Sequence, residues 1–270
     1  MTDQVTTDPL YHDPEAYDIA YGWNSLPETR ALVGAAEHLL RRPVRRALEV
    51  GCGSGRVLRD LVDLGVDAVG LDHNPRLLDY AQRRLDETER DALLIRGDMR
   101  AFRLAKPVDL VLAPINGIGY LTDPGDTDRH LDAVARNLRP GGVYIVEICF
   151  GPVEPELIGR RKPWTFTRGR TQVTADFILR EVDQERGWGM FEASLRVRRG
   201  GESTEIVVRH TLRIWDQPQF YAAIERSPLR LAELRRRDET LTPIDAAAPL
   251  TFADDNVFVV LQRPRYFFTP

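Results

Sequence analysis

Cysteine is scarce in this chain: Cys52 and Cys149 are the only two among 270 residues. Neither belongs to a metal-ligand spacing, and two lone thiols suit a reducing compartment better than a disulfide framework. No metal site is expected. Long apolar runs are also missing. None approaches the roughly 20 residues needed to span a bilayer, and Met1 to Ala16 is polar and acidic, without the apolar stretch of a signal peptide. The expectation is a soluble, cytoplasmic protein with no membrane partner. Charge of one sign is not in excess. The 37 basic and 41 acidic residues leave a net charge of −4, which makes no case for nucleic acid. Arginines cluster at Arg41-Arg42, Arg160-Arg161, Arg198-Arg199 and Arg235-Arg236-Arg237, but these short runs read as solvated faces and strand edges. Internal repeats and low-complexity tracts are absent. What remains is an ordinary globular composition, 43% hydrophobic and 29% charged, long enough for one large or two modest domains.

The most informative stretch is Arg46-Ala47-Leu48-Glu49-Val50-Gly51-Cys52-Gly53-Ser54-Gly55-Arg56. A short apolar run enters three glycines at alternate positions, and Val57 to Val62 then reads as a helix. Glycines at a strand end bring bare backbone amides up to a ligand, and the helix start adds unsatisfied N–H groups and a positive dipole end. Such a turn suits a nucleoside or a carboxylate. The spacing is Gly-x-Gly-x-Gly, and Arg56 occupies the sixth position from Gly51, where the dinucleotide fingerprint has its last glycine.

Around this turn, strands and helices alternate. Helical spacing covers Glu28 to Leu40, Pro75 to Arg84 and about Thr127 to Leu138. Short apolar runs at Val66–Asp72, Ala92–Arg96, Val108–Ala113 and Val143–Ile148 read as strands, which implies right-handed crossovers and a parallel sheet covered on both faces. Beyond Gly151 the pattern changes. Thr171–Glu181, Trp188–Val197 and Glu205–Trp215 alternate with period two and no helices between them, so a three-stranded antiparallel sheet is expected as an inserted cover. Pro218 to Glu225 resumes as a helix, with strands at Leu229–Leu234 and Asn256–Leu261. The predicted organisation is an aromatic N-terminal lid over 1–43, a core made of 44–150 and 216–270, and a cover over 151–215.

Asp72 ends the second strand about 20 residues after the glycine turn, where a carboxylate can accept both hydroxyls of a ribose. Asp98 ends the third strand, placed to accept the amino group of an adenine; the alternative for each is a plain turn or cap residue. Leu48-Glu49-Val50-Gly51-Cys52-Gly53-Ser54-Gly55, Gly70-Leu71-Asp72, Gly97-Asp98-Met99, Asp109-Leu110-Val111 and Leu138-Arg139-Pro140-Gly141-Gly142 occur in the order found in class I S-adenosylmethionine-dependent methyltransferases. Over about Arg45 to Ile148 the chain resembles that family. The resemblance implies a Rossmann-like α/β fold with a seven-stranded, mostly parallel sheet whose last strand is antiparallel. It further implies Gly51, Gly53 and Gly55 beside the methionine part of the cofactor, Asp72 on the ribose, and Asp98 and Met99 on the adenine. Glu49, His73 and Ala113 join the implied cofactor set. A narrower resemblance rests on Tyr17-Asp18-Ile19-Ala20-Tyr21, Asn116-Gly117-Ile118-Gly119-Tyr120-Leu121 and Arg209-His210-Thr211-Leu212-Arg213-Ile214-Trp215. These look like small-molecule N-methyltransferases acting on aminosugars or on glycine and sarcosine, which also carry an antiparallel insertion. Pro114-Ile115 stands where an aromatic residue is common in that loop.

Methyl transfer is a displacement in which the cofactor carries the hard chemistry and the protein aligns a lone pair and excludes water. An amine must first lose its proton. Tyr21 and His210 are the candidates for orienting the acceptor, with Tyr17 closing over the methionine end. His210 shares a strand face with Ile206, Val208, Leu212 and Ile214, so a satisfied core histidine is the alternative. Asn116, Tyr120, Trp164, Arg168 and Arg170 are candidates for the acceptor site. The leading expectation is a methyl acceptor that is a small molecule, on a monomer or homodimer, with no nucleic-acid partner: the Asp/Asn-Pro-Pro-Tyr/Phe loop used on extruded bases is replaced by Pro114-Ile115-Asn116-Gly117. An O-methyltransferase for a natural-product hydroxyl or carboxylate is close behind N-methylation. An NAD-dependent oxidoreductase and a non-catalytic cofactor-binding module are the readings from other classes.

Overall fold

The computed structural model describes residues 8–254 and 256–265; the outer ends of the expected lid and core, 1–7 and 266–270, and position 255 lie outside the described residues. In chain order the elements are α1 (Pro14–Ala20), α2 (Leu26–Leu40), β1 (Arg46–Val50), α3 (Arg56–Asp63), β2 (Asp67–Asp72), α4 (Pro75–Asp86), β3 (Leu93–Arg96), β4 (Val108–Ala113), α5 (Asp126–Asn137) and β5 (Leu138–Ile148). They continue as β6 (Trp164–Arg168), β7 (Thr171–Asp183), β8 (Trp188–Arg199), β9 (Glu202–Arg213), α6 (Gln217–Arg226), β10 (Arg230–Arg236), β11 (Pro243–Ile244) and β12 (Val257–Gln262).

The main sheet runs β11-β10-β12-β5-β4-β1-β2-β3. Its half from β5 to β3 is parallel throughout, and β12 enters antiparallel between β5 and β10. The expected seven strands are therefore present, and the two-residue β11 adds an eighth at the edge. Val108–Ala113 is buried at every position, as a strand covered on both faces must be. One apolar layer packs Leu48, Val69, Val111, Leu131 and Val146 under α5 and α6; the other packs Ala47, Leu58, Leu110 and Ile145 under α2 and α3.

The cover has four strands, β6-β7-β8-β9, all antiparallel. Sequence reading gave three, because Trp164–Arg168 lies in a stretch crowded with proline and arginine. Its alternation of Thr165 and Thr167 with Trp164 and Phe166 was the missed signal. The inner face of the cover does two jobs. Val173, Ala175, Ala193, Leu195, Val197 and Val208 pack on the leader through Leu10, Tyr11, Ala16 and Ile19. Leu179, Phe191, Leu212 and Ile214 turn instead toward Val153, Leu157, Tyr120 and Phe252. The leader is also tied to the cover by Arg199, which reaches Asp13 at 2.7 Å and Glu15 at 3.0 Å, and by the Trp164 indole N–H, which donates to Ala20 O at 2.7 Å.

Candidate functional site

The carboxyl ends of β1, β2, β3 and β4 open into a cavity of about 1030 Å³ roofed by the leader and walled by the cover. The glycine turn forms its floor. Gly51, Gly53 and Gly55 all have left-handed φ, between 51° and 77°, a region that side-chain-bearing residues rarely adopt. At Gly53 the space above the backbone belongs to Tyr17, whose ring lies 3.5 Å from where a Cβ would stand. Gly55 serves a different purpose. A Cβ there would press within 3.1 Å of Ala81 on α4, so this glycine lets helices approach and does not line the cavity.

Asp72 lines the cavity with its carboxylate fixed from below. Oδ2 accepts from Gly53 N and Oδ1 from Asn74 N, each at 2.8 Å. Burial raises its pKa, opposed by those backbone N–H groups. Asp98 also reaches the cavity beside His73 and Met99, but Arg100 grips it: Nη2 lies 2.6 Å from Oδ2 and Nε 2.9 Å from Oδ1. Those bonds hold its carboxyl below the usual range. Met99 is fixed from behind, since its carbonyl can only accept and therefore receives a hydrogen bond from the His130 Nδ1–H at 2.9 Å. His130 Nε2 must then accept from the Tyr144 hydroxyl at 2.6 Å.

Two buried ionisable groups at the glycine turn each leave one atom without a hydrogen bond among the described residues. Glu49 is 4% exposed and Arg56 9% exposed; both line the cavity, and Glu49 Oε2 and Arg56 Nη1 are buried with no hydrogen bond among the described residues. Burial pushes the Glu49 carboxyl up to about 8 and draws the Arg56 guanidinium down, each opposed by the other. An amino-acid head with one ammonium and one carboxylate would satisfy both orphaned atoms, so these residues fit the methionine end of S-adenosylmethionine. Asp72 fits its ribose. Arg56 is a site residue that sequence reading missed, having been seen only as a departure from a glycine pattern. Its guanidinium lies 4.4 Å from the Trp23 ring, a contact typical of cation–π pairing.

At the other end the cavity is walled by tyrosines and then by apolar rings. Tyr11, Tyr17 and Tyr21 form a chain of ring contacts at 5.3 and 4.7 Å, and burial pushes the Tyr21 hydroxyl up to about 12. Tyr11 was not singled out from sequence; its hydroxyl lies 3.1 Å from that of Tyr120. Tyr120 lies 3.3 Å from His210 Nδ1, and Asp8 Oδ2 is 3.4 Å from the same nitrogen. His210 thus sits behind Tyr120 and does not line the cavity itself. Burial lowers its pKa and Asp8 opposes the shift. Farther out, Phe177 stacks on Phe191 at 5.0 Å and Phe191 faces Phe252 at 6.5 Å, with Arg160 and Lys162 at the rim.

Trp164 and Asn116 line this cavity as expected, but besides Gly55 and His210 three further predicted residues do not. Ala113 is 1% exposed within the core of the sheet. Arg168 turns to the leader, where its Nη1 meets Asp18 Oδ2 at 2.7 Å and the Tyr80 hydroxyl at 3.1 Å. Asp18 is 1% exposed and also accepts from Ser54 in the glycine turn at 2.7 Å, so Arg168 clamps cover, leader and turn together. Arg170 is exposed at the β6–β7 turn. The charge that suggested acceptor binding is spent in the first case on an internal pair and in the second on solvent.

Comparison with known proteins agrees with this geometry. A methyltransferase domain model matches residues 47–142, the stretch holding the glycine turn, Asp72, Asp98 and the Pro114–Tyr120 loop. A dTDP-3-amino-3,4,6-trideoxy-α-D-glucopyranose N,N-dimethyltransferase of Streptomyces venezuelae is 28% identical over 195 residues, 69% of this chain and 76% of the relative. A dTDP-3-amino-3,6-dideoxy-α-D-glucopyranose N,N-dimethyltransferase of Streptomyces fradiae is 32% identical over 140 residues, which is 51% of this chain and about half, 53%, of that relative. Among solved structures, the amino pentose methyltransferase CalS10 of Micromonospora echinaspora, bound to S-adenosylmethionine, shares the fold with a TM-score of 0.69, covering 92% of this chain and 95% of its own at 20% identity. The NAD-dependent and non-catalytic readings give way to these findings. Residues 47–142 thus match a methyltransferase domain, and the chain as a whole has the fold of S-adenosylmethionine-dependent methyltransferases.

Proposed function

We propose that the protein methylates an amine nitrogen on a small sugar-like molecule carried by a nucleotide, by direct in-line displacement. The observation that carries this reading is the composition of the acceptor end of the cavity. Tyrosine hydroxyls and the Asn116 amide supply polar partners near the cofactor floor. The Phe177, Phe191 and Phe252 rings offer flat apolar faces beyond them. Arg160 and Lys162, neither in an ion pair among the described residues, stand at the rim. Hydroxyls, cations and flat rings are the partners that an aminosugar, a diphosphate and a base respectively call for. The names of the two Streptomyces relatives, both N,N-dimethyltransferases of dTDP-aminosugars, point the same way.

When bound, the sulfonium cofactor supplies an electrophilic methyl group. The residues of the chain do the rest. Glu49 and Arg56 hold the ends of the amino-acid head, and Asp72 fixes the ribose. Tyr17 and Tyr21 close the roof and exclude water. Tyr120 is the cavity-wall hydroxyl nearest to an internal base: an ammonium proton passing to its oxygen lets its own proton move to His210 Nδ1, with Asp8 steadying the imidazolium that results.

The test is to incubate the purified protein with isotope-labelled S-adenosylmethionine and dTDP-3-amino-3,6-dideoxy-α-D-glucopyranose, alongside the 3-hydroxy analogue. Label on the amino nitrogen, as one or two methyl groups, is the expected result. Label on oxygen, or on neither compound, overturns the reading.

A further inference from the structure

One buried carboxylate inside the main sheet has no part in the steps above. Glu147, on β5, is 0% exposed. Its Oε2 accepts from the Ile115 backbone N–H at 2.5 Å, and its Oε1 accepts from Asn256 Nδ2 at 2.5 Å and Arg237 Nη1 at 3.3 Å. Three separate segments therefore meet on one side chain: the loop after β4, the residue before β12, and the end of β10.

The loop that Glu147 holds is strained. Ile115 and Asn116 have φ of 61° and 50°, the left-handed region that costs non-glycine residues on the order of 1–3 kcal/mol and disfavours β-branched side chains most. Ile115 is β-branched. Such a pair persists only where its surroundings over-determine it. The conformation turns the chain sharply into Gly117–Tyr120, the 3₁₀ turn that delivers Tyr120 to the cavity wall. It also leaves the Asn116 side chain on that wall with its Oδ1 buried and unpartnered among the described residues. Gly119 allows this, because a Cβ there would stand 3.1 Å from the Asn116 amide nitrogen.

We propose that Glu147 is a positioning residue for the methyl acceptor: by bridging Ile115 to Asn256 and Arg237 it holds Ile115 and Asn116 left-handed, so that the Asn116 amide waits unpaired for an N–H group of the acceptor. The proposal rests on the reading of that acceptor as an amine. A carboxylate is needed for the task because every group facing it is a donor. An amide in its place would set N–H against N–H at a fully buried position, leaving a donor unpaired at a cost of about 1–3 kcal/mol. The unpaired Asn116 amide carries a similar penalty, which a ligand N–H removes on docking. The strain thus pre-organises the wall for its ligand.

The test uses the full-length protein as wild type, Glu147→Gln and Glu147→Gln with Ile115→Gly. Hydrogen exchange over residues 114–120 should quicken about tenfold in Glu147→Gln, the equivalent of one lost buried hydrogen bond. The KM for dTDP-3-amino-3,6-dideoxy-α-D-glucopyranose should rise by a similar factor, ~10-fold, while calorimetric affinity for S-adenosylhomocysteine stays within about twofold. Glycine at 115 adopts positive φ without strain, so the double variant should recover a large part of both losses. Unchanged exchange in Glu147→Gln overturns the proposal. An equal loss of S-adenosylhomocysteine affinity overturns it too, by making Glu147 a general support of the fold, and so does a double variant no better than the single one. If wild type leaves the amine unmethylated, the acceptor reading fails and the role of Asn116 with it, whereas the exchange data still decide whether Glu147 holds the loop.

Discussion

The two ends of the cavity are built on different plans. The cofactor end is a single strand–turn–helix unit with the next two strands added on one side: Gly51 to Arg56, Asp72 and Asp98 come from consecutive crossovers, and backbone amides fix the Asp72 carboxylate. The acceptor end is assembled from four distant stretches, the leader with Asp8 and Tyr11, the loop with Asn116 and Tyr120, the cover with Phe177 and His210, and the segment before β12 with Phe252. A fixed ligand meets side chains gathered on neighbouring strands and braced by backbone. A variable one meets side chains on separate elements, each free to change without disturbing the others.

The comparison can be broken at either end. The largest effect should come from Asp72→Ala, which deprives Gly53 N and Asn74 N of their acceptor together with the ribose contact. About 3–4 kcal/mol is at stake, several hundredfold in affinity for S-adenosylhomocysteine by calorimetry; unchanged affinity would mean that the cofactor does not lie on the glycine turn. Acid should loosen the same end next. His130 beneath Met99 titrates at about 4, lowered by burial from an ordinary value near 6.5, so the unfolded chain binds the extra proton between those values. Stability from this group is full above about pH 6.5 and falls by on the order of 3 kcal/mol as the pH drops to about 4. Urea midpoints across that range, compared with His130→Gln, should show the slope in wild type and a flatter one in the variant.

At the acceptor end, His210→Ala should slow turnover about tenfold or more with S-adenosylhomocysteine affinity within about twofold of wild type, the loss shrinking as the pH rises and the amine sheds its proton unaided. Wild-type kinetics would return His210 to the core. The smallest effect belongs to the rim. Replacing Arg160 and Lys162 with alanine should raise acceptor KM by about fivefold, as exposed charges warrant, and the rise should fade in high salt. A salt-independent change would mean these side chains contribute packing and not charge.

The same division explains what the sequence could disclose. The cofactor end was legible because its residues lie within about 50 positions and each follows a strand end, so that periodicity and glycine spacing place them together. Arg168 was misread for the opposite reason. Its partner Asp18 lies 150 residues away, and a lone arginine on a strand gives no hint of whom it will meet. Glu147 lies in an apolar strand where a carboxylate invites notice, yet nothing local says that Ile115, Asn256 and Arg237 will converge on it. Tyr11 and Trp23 were visible as part of an aromatic leader; which of those rings would reach the cavity depended on the cover folding down against them.

The cover leaves and rejoins the main body at one place. Phe150 and Trp215 pair side by side, with Trp215 N donating to Cys149 O at 3.2 Å and Gly151 N donating to Trp215 O at 2.8 Å. A segment whose two ends are stitched together in this way is a cassette. Its strands can be lengthened, resurfaced or exchanged with those of a relative while the seam keeps β5 and α6 where they are. For an engineer seeking a new methyl acceptor, the seam at Phe150 and Trp215 marks where to cut.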